Sequence, residues 1–133
     1  MIDVLLATGI RVSSLVDLHV EDVDLDAERL WIRTKGARRL RVALPRALGE
    51  RLVAGVVEGP LFRSRLGTRL GARTVQLRLA GWVAEAGIRE GVSPHALRHT
   101  CATRMYRETK DLRRVQVVLG HRSVMTTERY VGV

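Results

Sequence analysis

The spacing of apolar positions changes its period several times along the chain, and each change predicts an element. Residues 1–8 place Ile2, Leu5 and Leu6 at helical spacing and stop at Gly9, a residue suited to a helix C-terminus. Residues 11–19 predict a second short helix that buries Leu15 and Leu18. The period then drops to two. DVDLD (22–26), RLWIRT (29–34) and RRLRVAL (38–44) alternate as strands do, and Lys35-Gly36-Ala37 supplies turn chemistry between the last two. A β-hairpin with Lys35 at its tip is the expectation. Val23 and Leu25 alternate with acids, as on an exposed strand face, and the acids from Asp17 to Glu28 read as solvated.

Helical spacing returns after Pro45, which opens a helix expected to reach about Val57 before Gly59-Pro60. Leu61 and Phe62 are candidate core residues in the loop that follows, with Gly67 and Gly71 as turns. Residues 72–86 carry Val75, Leu79, Trp82 and Val83 on one face. Ser93 has the character of an N-cap with Pro94 at the first helical position. That helix is expected to run to about Glu108 and to bury Leu97, Cys101 and Met105. Asp111 caps a further helix ending at Gly120, and Ser123 caps a last one reaching Tyr130. The sum is an α+β fold: a mostly helical domain with a small antiparallel three-stranded sheet, occupying residues 1–133 as one domain.

Composition narrows what such a domain does. With 133 residues and 46% hydrophobic positions, an ordinary core is affordable and disorder is not expected. No apolar run approaches the ~20 residues of a membrane span, and the start lacks the basic region of a signal peptide. One cysteine, Cys101, leaves no internal disulfide framework and no cysteine-rich zinc site. A cytoplasmic protein without membrane contact is expected. Lys plus Arg number 23 against 14 Asp plus Glu, a net charge of +9, and all but Lys35 and Lys110 are arginine. Residues 1–28 hold seven acids and one base, Arg11; the rest of the chain is strongly basic. Such a body attracts a polyanion through counterion release. Aromatic residues are 4% of the chain, too sparse for the stacking platforms that bind single strands or RNA, so a nucleic-acid duplex backbone is the expected partner.

Chemistry concentrates in two stretches. His95 and Arg98 are three residues apart, on one face near a helix start, off the Leu97/Cys101/Met105 stripe. The unpaired N–H groups and positive dipole end there favour an anion, so an imidazole and a guanidinium beside them suit a phosphate. Neighbouring His99 reads as a structural hydrogen-bonding residue. The second stretch is LGHRSVMTTERY (119–130), which holds His121 after the Gly120 stop and Tyr130 nine residues later. His95, Arg98, His121 and Tyr130, with Arg11 and Lys35, form a set suited to phosphoryl transfer by tyrosine.

TGIRVSSL (8–15), TKG (34–36), SPHALRHTCAT (93–103) and LGHRSVMTTERY (119–130) closely resemble the tyrosine recombinases, also called phage-type integrases. The resemblance runs over nearly the whole chain in the correct order. Its most specific parts are H-x-x-R, L-G-H and the tyrosine nine residues on. It implies a catalytic set of Arg11, Lys35, His95, Arg98, His121 and Tyr130, with Tyr130 as nucleophile and no metal or other cofactor. It implies double-stranded DNA as the partner and DNA strand cleavage and rejoining through a 3′-phosphotyrosyl intermediate, with self-association into a tetramer on DNA in a full-length form. A type IB topoisomerase resembles the same chemistry less well, because those enzymes typically have a lysine where His95 stands. A catalytically silent DNA-binding module is the alternative of another class. Three features depart from the family pattern. Ser14 stands where a carboxylate is usual, the chain begins at Met1 inside the helix before Arg11, and only three residues follow Tyr130. The expectation is a catalytic domain truncated at both ends, lacking the preceding core-binding domain and the C-terminal tail helix.

Overall fold

Alternating and helical periods resolve into an α+β arrangement in the computed structural model of the chain, which describes residues 1–34 and 36–120. The hairpin tip at Lys35 and the helix expected between Ser123 and Tyr130 lie outside the described residues. Helix α1 spans Ile2–Thr8 and α2 spans Val12–Val16, with a 3-10 turn at Val20–Asp22. Strands β1 (Val23–Asp24), β2 (Arg29–Arg33) and β3 (Arg39–Ala43) form an antiparallel sheet in that order. Helices α3 (Arg46–Val53), α4 (Ala72–Glu85), α5 (Pro94–Thr109) and α6 (Leu112–Leu119) follow.

The strand alternation sorts the sheet into two faces. Leu30, Ile32 and Val42 are buried, while Arg29, Arg33, Arg39 and Arg41 are exposed on the other side of the pleat. Trp31, opposite Arg41, lies on that outer face with the Arg39 and Arg41 guanidiniums 6.0 and 5.5 Å from its ring centroid. Beneath the sheet, Val4, Leu5, Leu15 and Leu18 join the inner strand residues with Val75, Leu79 and Leu97 in one core. Each fully buried leucine contributes about 1.5–3 kcal/mol relative to exposure. A second cluster of Ala102, Val115 and Leu119 seals α6 onto α5, with Met105 and Tyr106 partly buried against it.

Several boundaries differ from the sequence expectation, each for a local reason. Helix α2 starts at Val12, because Arg11 takes an extended backbone and serves as its N-cap. Helix α3 stops at Val53 rather than Val57, since the chain turns through Gly55 at φ 74° before the Gly59-Pro60 pair is reached. Strand β1 keeps only two residues of DVDLD, and Asp22 closes the 3-10 turn instead of joining the strand. Asp22 is buried, which corrects its reading as a solvated acid. The neighbouring acids stay on the surface, yet several meet bases from distant parts of the chain: Asp3 with Arg51 at 2.8 Å and Asp17 with Arg69 at 2.9 Å. On α4 the buried stripe is Val75 and Leu79 with Val83 partly covered; Trp82, at its edge, is 40% exposed. Met105 is half-buried rather than enclosed.

Gly9 decides how closely α1 meets α5. It caps α1 with a left-handed φ of 64°, and its N–H donates to the Leu5 carbonyl at 2.9 Å. A Cβ there would stand 3.1 Å from Cys101 Sγ and 3.2 Å from a Leu119 methyl. Burial pushes the Cys101 thiol pKa up, against the lowering influence of Arg104 and Arg98, so it stays protonated at neutral pH. Gly9→Ala is expected to destabilise the chain by about 1–3 kcal/mol, combining left-handed strain with overpacking. Urea unfolding of the two proteins measures this; equal midpoints would contradict the packing described.

Candidate active site

The start of α5 is built as the sequence pattern requires. Ser93 has an extended backbone, its Oγ accepts the Ala96 N–H at 3.1 Å, and Pro94 occupies the first turn. This fixes where the next turn points. His95 emerges exposed at the helix start, and Arg98 lies one turn on. Arg98 is only 5% exposed, which corrects the expectation that it stands off the buried stripe with His95. Its Nη1 donates to the Gly9 carbonyl and its Nη2 to the Leu119 carbonyl at 2.6 Å. One guanidinium therefore ties the end of α1 to the end of α6 across α5.

A buried cation requires such partners, because desolvation is repaid only by good hydrogen-bond geometry. Both acceptors are helix-end carbonyls, which have no partner within their own helix and carry partial negative charge. The planar fork of arginine reaches two of them at once, which the single ammonium of lysine cannot do. The orientation of Arg98 is thus set by the fold.

Arg11 is positioned by different means. As the N-cap of α2 it is exposed, and its side chain makes no hydrogen bond or ion pair with the described residues. Arg11, His95 and Arg98 together line one open cavity of about 660 Å³, walled by Val12 and Ser13 of α2, Gln76 and Ala80 of α4, and Val92–Pro94. The structure thus brings three of the six expected residues to one place. Lys35, His121 and Tyr130 lie outside the described residues; described positions flank Lys35 on both sides and His121 on its N-terminal side. Gly120, immediately before His121, takes a left-handed φ of 63° and closes α6 right behind the carbonyl that Arg98 holds. Thr34 and Arg38 bracket the position of Lys35, the Thr34 N–H donating to the Arg38 carbonyl at 2.8 Å.

Gln76 and Ala80 had no place in the sequence reading of the site. Their signal was faint: they are exposed positions on the side of α4 away from Val75 and Leu79, and only the packing of α2 on α4 turns them toward Arg11. Among the described residues, no three His, Cys, Asp or Glu side chains gather as a metal site. No described helix is long and apolar enough to cross a membrane.

Comparison with known proteins covers the same ground. Residues 1–133 match the profile of the phage integrase family. Tyrosine recombinase XerC of Escherichia coli O127:H6 (strain E2348/69 / EPEC) is 38% identical over 138 residues, spanning 98% of this chain and 46% of that protein. XerC of E. coli strain K12 / DH10B gives the same figures. The chain therefore spans about half the length of the curated relatives it matches. Among solved structures, XerA recombinase superposes with a TM-score of 0.87 and 32% identity, over 98% of this chain and 51% of that one. The XerH site-specific recombinase, in a post-cleavage complex with palindromic difH substrate, gives 0.86 and 27%, over 98% and 40%.

The two arginines in the cavity are expected to respond differently to truncation. Arg98→Met strands two buried carbonyls and should lower stability by about 1–3 kcal/mol. Arg11→Ala removes a side chain the fold does not use and should stay within about 0.5 kcal/mol of the parent. Denaturant midpoints for the two variants check this; the reverse order would refute the arrangement.

Proposed function

Because the chain belongs to the phage integrase family, we propose that it carries the catalytic part of a site-specific DNA recombinase, one that cuts and rejoins strands through a 3′-phosphotyrosyl intermediate. The observation that carries this reading is the convergence of Arg11, His95 and Arg98 on one cavity. Three elements distant in sequence supply two guanidiniums and an imidazole to an open face, the requirements for gripping a phosphodiester. Double-stranded DNA is the substrate in this reading. The net charge of +9 and the XerH structure bound to its DNA substrate both support it.

The reaction is a two-step phosphoryl transfer. The Tyr130 oxygen attacks phosphorus in line, its proton passing to His95, and the bond from phosphorus to the 5′ oxygen breaks. Charge developing on the nonbridging oxygens is met by Arg11 and Arg98, whose guanidiniums keep their protons at any working pH. Arg98 is suited to this because its fork is already held by two carbonyls and pays little reorganisation. Lys35 protonates the departing 5′ oxygen, and His121 hydrogen-bonds a nonbridging oxygen. The phosphotyrosyl ester conserves the bond energy, so a 5′ hydroxyl can attack it and reseal a strand without ATP or metal. Ser14, half-buried in α2, takes the place of the usual acid beside Arg11, and the exposed Arg11 side chain is oriented without a carboxylate partner there. In a full-length form the protein assembles as a tetramer on DNA.

Incubation with nicked suicide duplexes drawn from a random-sequence pool tests the reading. A covalent protein–DNA adduct on a denaturing gel is expected, lost in Tyr130→Phe and reduced at least about a hundredfold in Arg98→Lys. An adduct persisting in Tyr130→Phe removes that residue as nucleophile. DNA binding without any adduct favours a silent DNA-binding module. Binding is expected to weaken steeply between 50 and about 200 mM salt, as phosphate contacts require.

A further inference from the structure

The Asp22 carboxylate is the one acid of the N-terminal stretch that the fold encloses, at 1% exposure. Its Oδ2 accepts the His19 N–H at 2.9 Å and so is anchored to the 3-10 turn. Its Oδ1 is buried and has no hydrogen-bond partner among the described residues. What faces Oδ1 is a pair of guanidiniums: Arg33 Nη2 at 3.8 Å and Arg39 Nη2 at 3.7 Å. Glu21, half-exposed on the same turn, reaches Arg33 at 4.0 Å.

Arg33 and Arg39 are cross-strand partners and form the last pair of the β2–β3 ladder before the turn. Two like charges directly opposite one another destabilise a hairpin. Here they stand at its turn end, two residues before Lys35 on one side and four after it on the other. A buried anion set between them converts that repulsion into a clasp, and burial spares it much of the solvent screening that weakens surface pairs. The clasp joins the hairpin to the turn that follows α2, the helix that Arg11 caps.

We propose that Asp22 is a positioning residue for Lys35: through Arg33 and Arg39 it fixes the end of the β2–β3 ladder from which the turn carrying Lys35 leaves. The proposal rests on the reading of Lys35 as the general acid. Proton delivery to a leaving oxygen demands placement within hydrogen-bond reach, and a small misplacement costs orders of magnitude in rate. Asp22 touches neither substrate nor the reacting atoms, so its effect is confined to the step that Lys35 serves.

Asp22→Asn tests this, since the amide keeps an acceptor for the His19 N–H while removing the charge. Duplexes recovered from the adduct selection are remade with sulfur in place of the bridging 5′ oxygen, a leaving group that needs no proton. Asp22→Asn should slow cleavage of the oxygen substrate roughly ten- to a hundredfold, while the sulfur substrate is cut within about twofold of the parent rate. Equal loss on both substrates, or no loss on either, overturns the proposal. Lys35→Ala run alongside separates the two levels. If it is not rescued by sulfur, the acid role of Lys35 falls. If Lys35→Ala is rescued and Asp22→Asn is not, only the role of Asp22 falls. Should Asp22→Asn fail to fold, Arg39→Met, at a half-exposed position, is expected to give the same split and Arg39→Lys to restore the parent behaviour; no split in Arg39→Met overturns the proposal. Amide hydrogen exchange reads the clasp without any cleavage. Thr34 and Leu40 amides, which face the partner strand, should exchange faster in the variants while those of α5 hold, and unchanged hairpin rates refute the clasp.

Discussion

Arg98 joins three helices through one guanidinium, and that junction fixes a buried cation that lines the cavity. Helix α1 ends in a left-handed turn at Gly9, α6 ends in another at Gly120, and both present carbonyls that their own helices cannot satisfy. Arginine from α5 donates to the Gly9 and Leu119 oxygens together. The close approach this requires explains why Gly9 lies against Cys101 and Leu119 with no room for a side chain. A residue capable of binding phosphate is thereby built into the core, and its direction is a property of the fold rather than of a flexible side chain.

Around this junction the remaining functional groups are held by progressively looser means. His95 rides at the start of a capped helix, fixed in backbone and exposed in side chain. Arg11 depends only on the extended N-cap of a five-residue helix. The β2–β3 ladder beside Lys35 ends at Arg33 and Arg39, whose guanidiniums face the buried Asp22 carboxylate. The proposed reaction would use such a gradation, with some groups binding a charge present throughout and others acting only as the charge moves. The cavity is open, as the proposed duplex substrate would require.

The surface charge acquires a different meaning in three dimensions. Along the chain, acids crowd the first 28 positions and bases the remainder. In the fold the segregation dissolves, because Asp3 and Asp17 are paired with Arg51 and Arg69 from later elements. These exposed pairs contribute little stability each. Asp22 differs because it is enclosed, with guanidiniums of two neighbouring strands facing its carboxylate.

Periodicity determined the element types, their order and the small sheet, since alternation and helical spacing are local consequences of which face must be dry. Motif spacing singled out Arg11, His95 and Arg98 for one chemistry, and the cavity gathers all three. The same local logic could not say that Arg98 is buried: a charged residue beside an apolar stripe looks solvated until two carbonyls from helices 89 and 21 residues away are brought to it. Nor could it place Asp22, whose alternation with Val23 matches a strand face, or turn Gln76 and Ala80 toward Arg11. Helix α3 stops early for a local reason instead, since the chain turns at Gly55 before Gly59-Pro60 is reached. What the sequence by itself determined, then, is which groups exist and on which elements they ride. Only the tertiary structure decided which of them are desolvated and paired, because burial and ion pairing are set by neighbours that are remote along the chain.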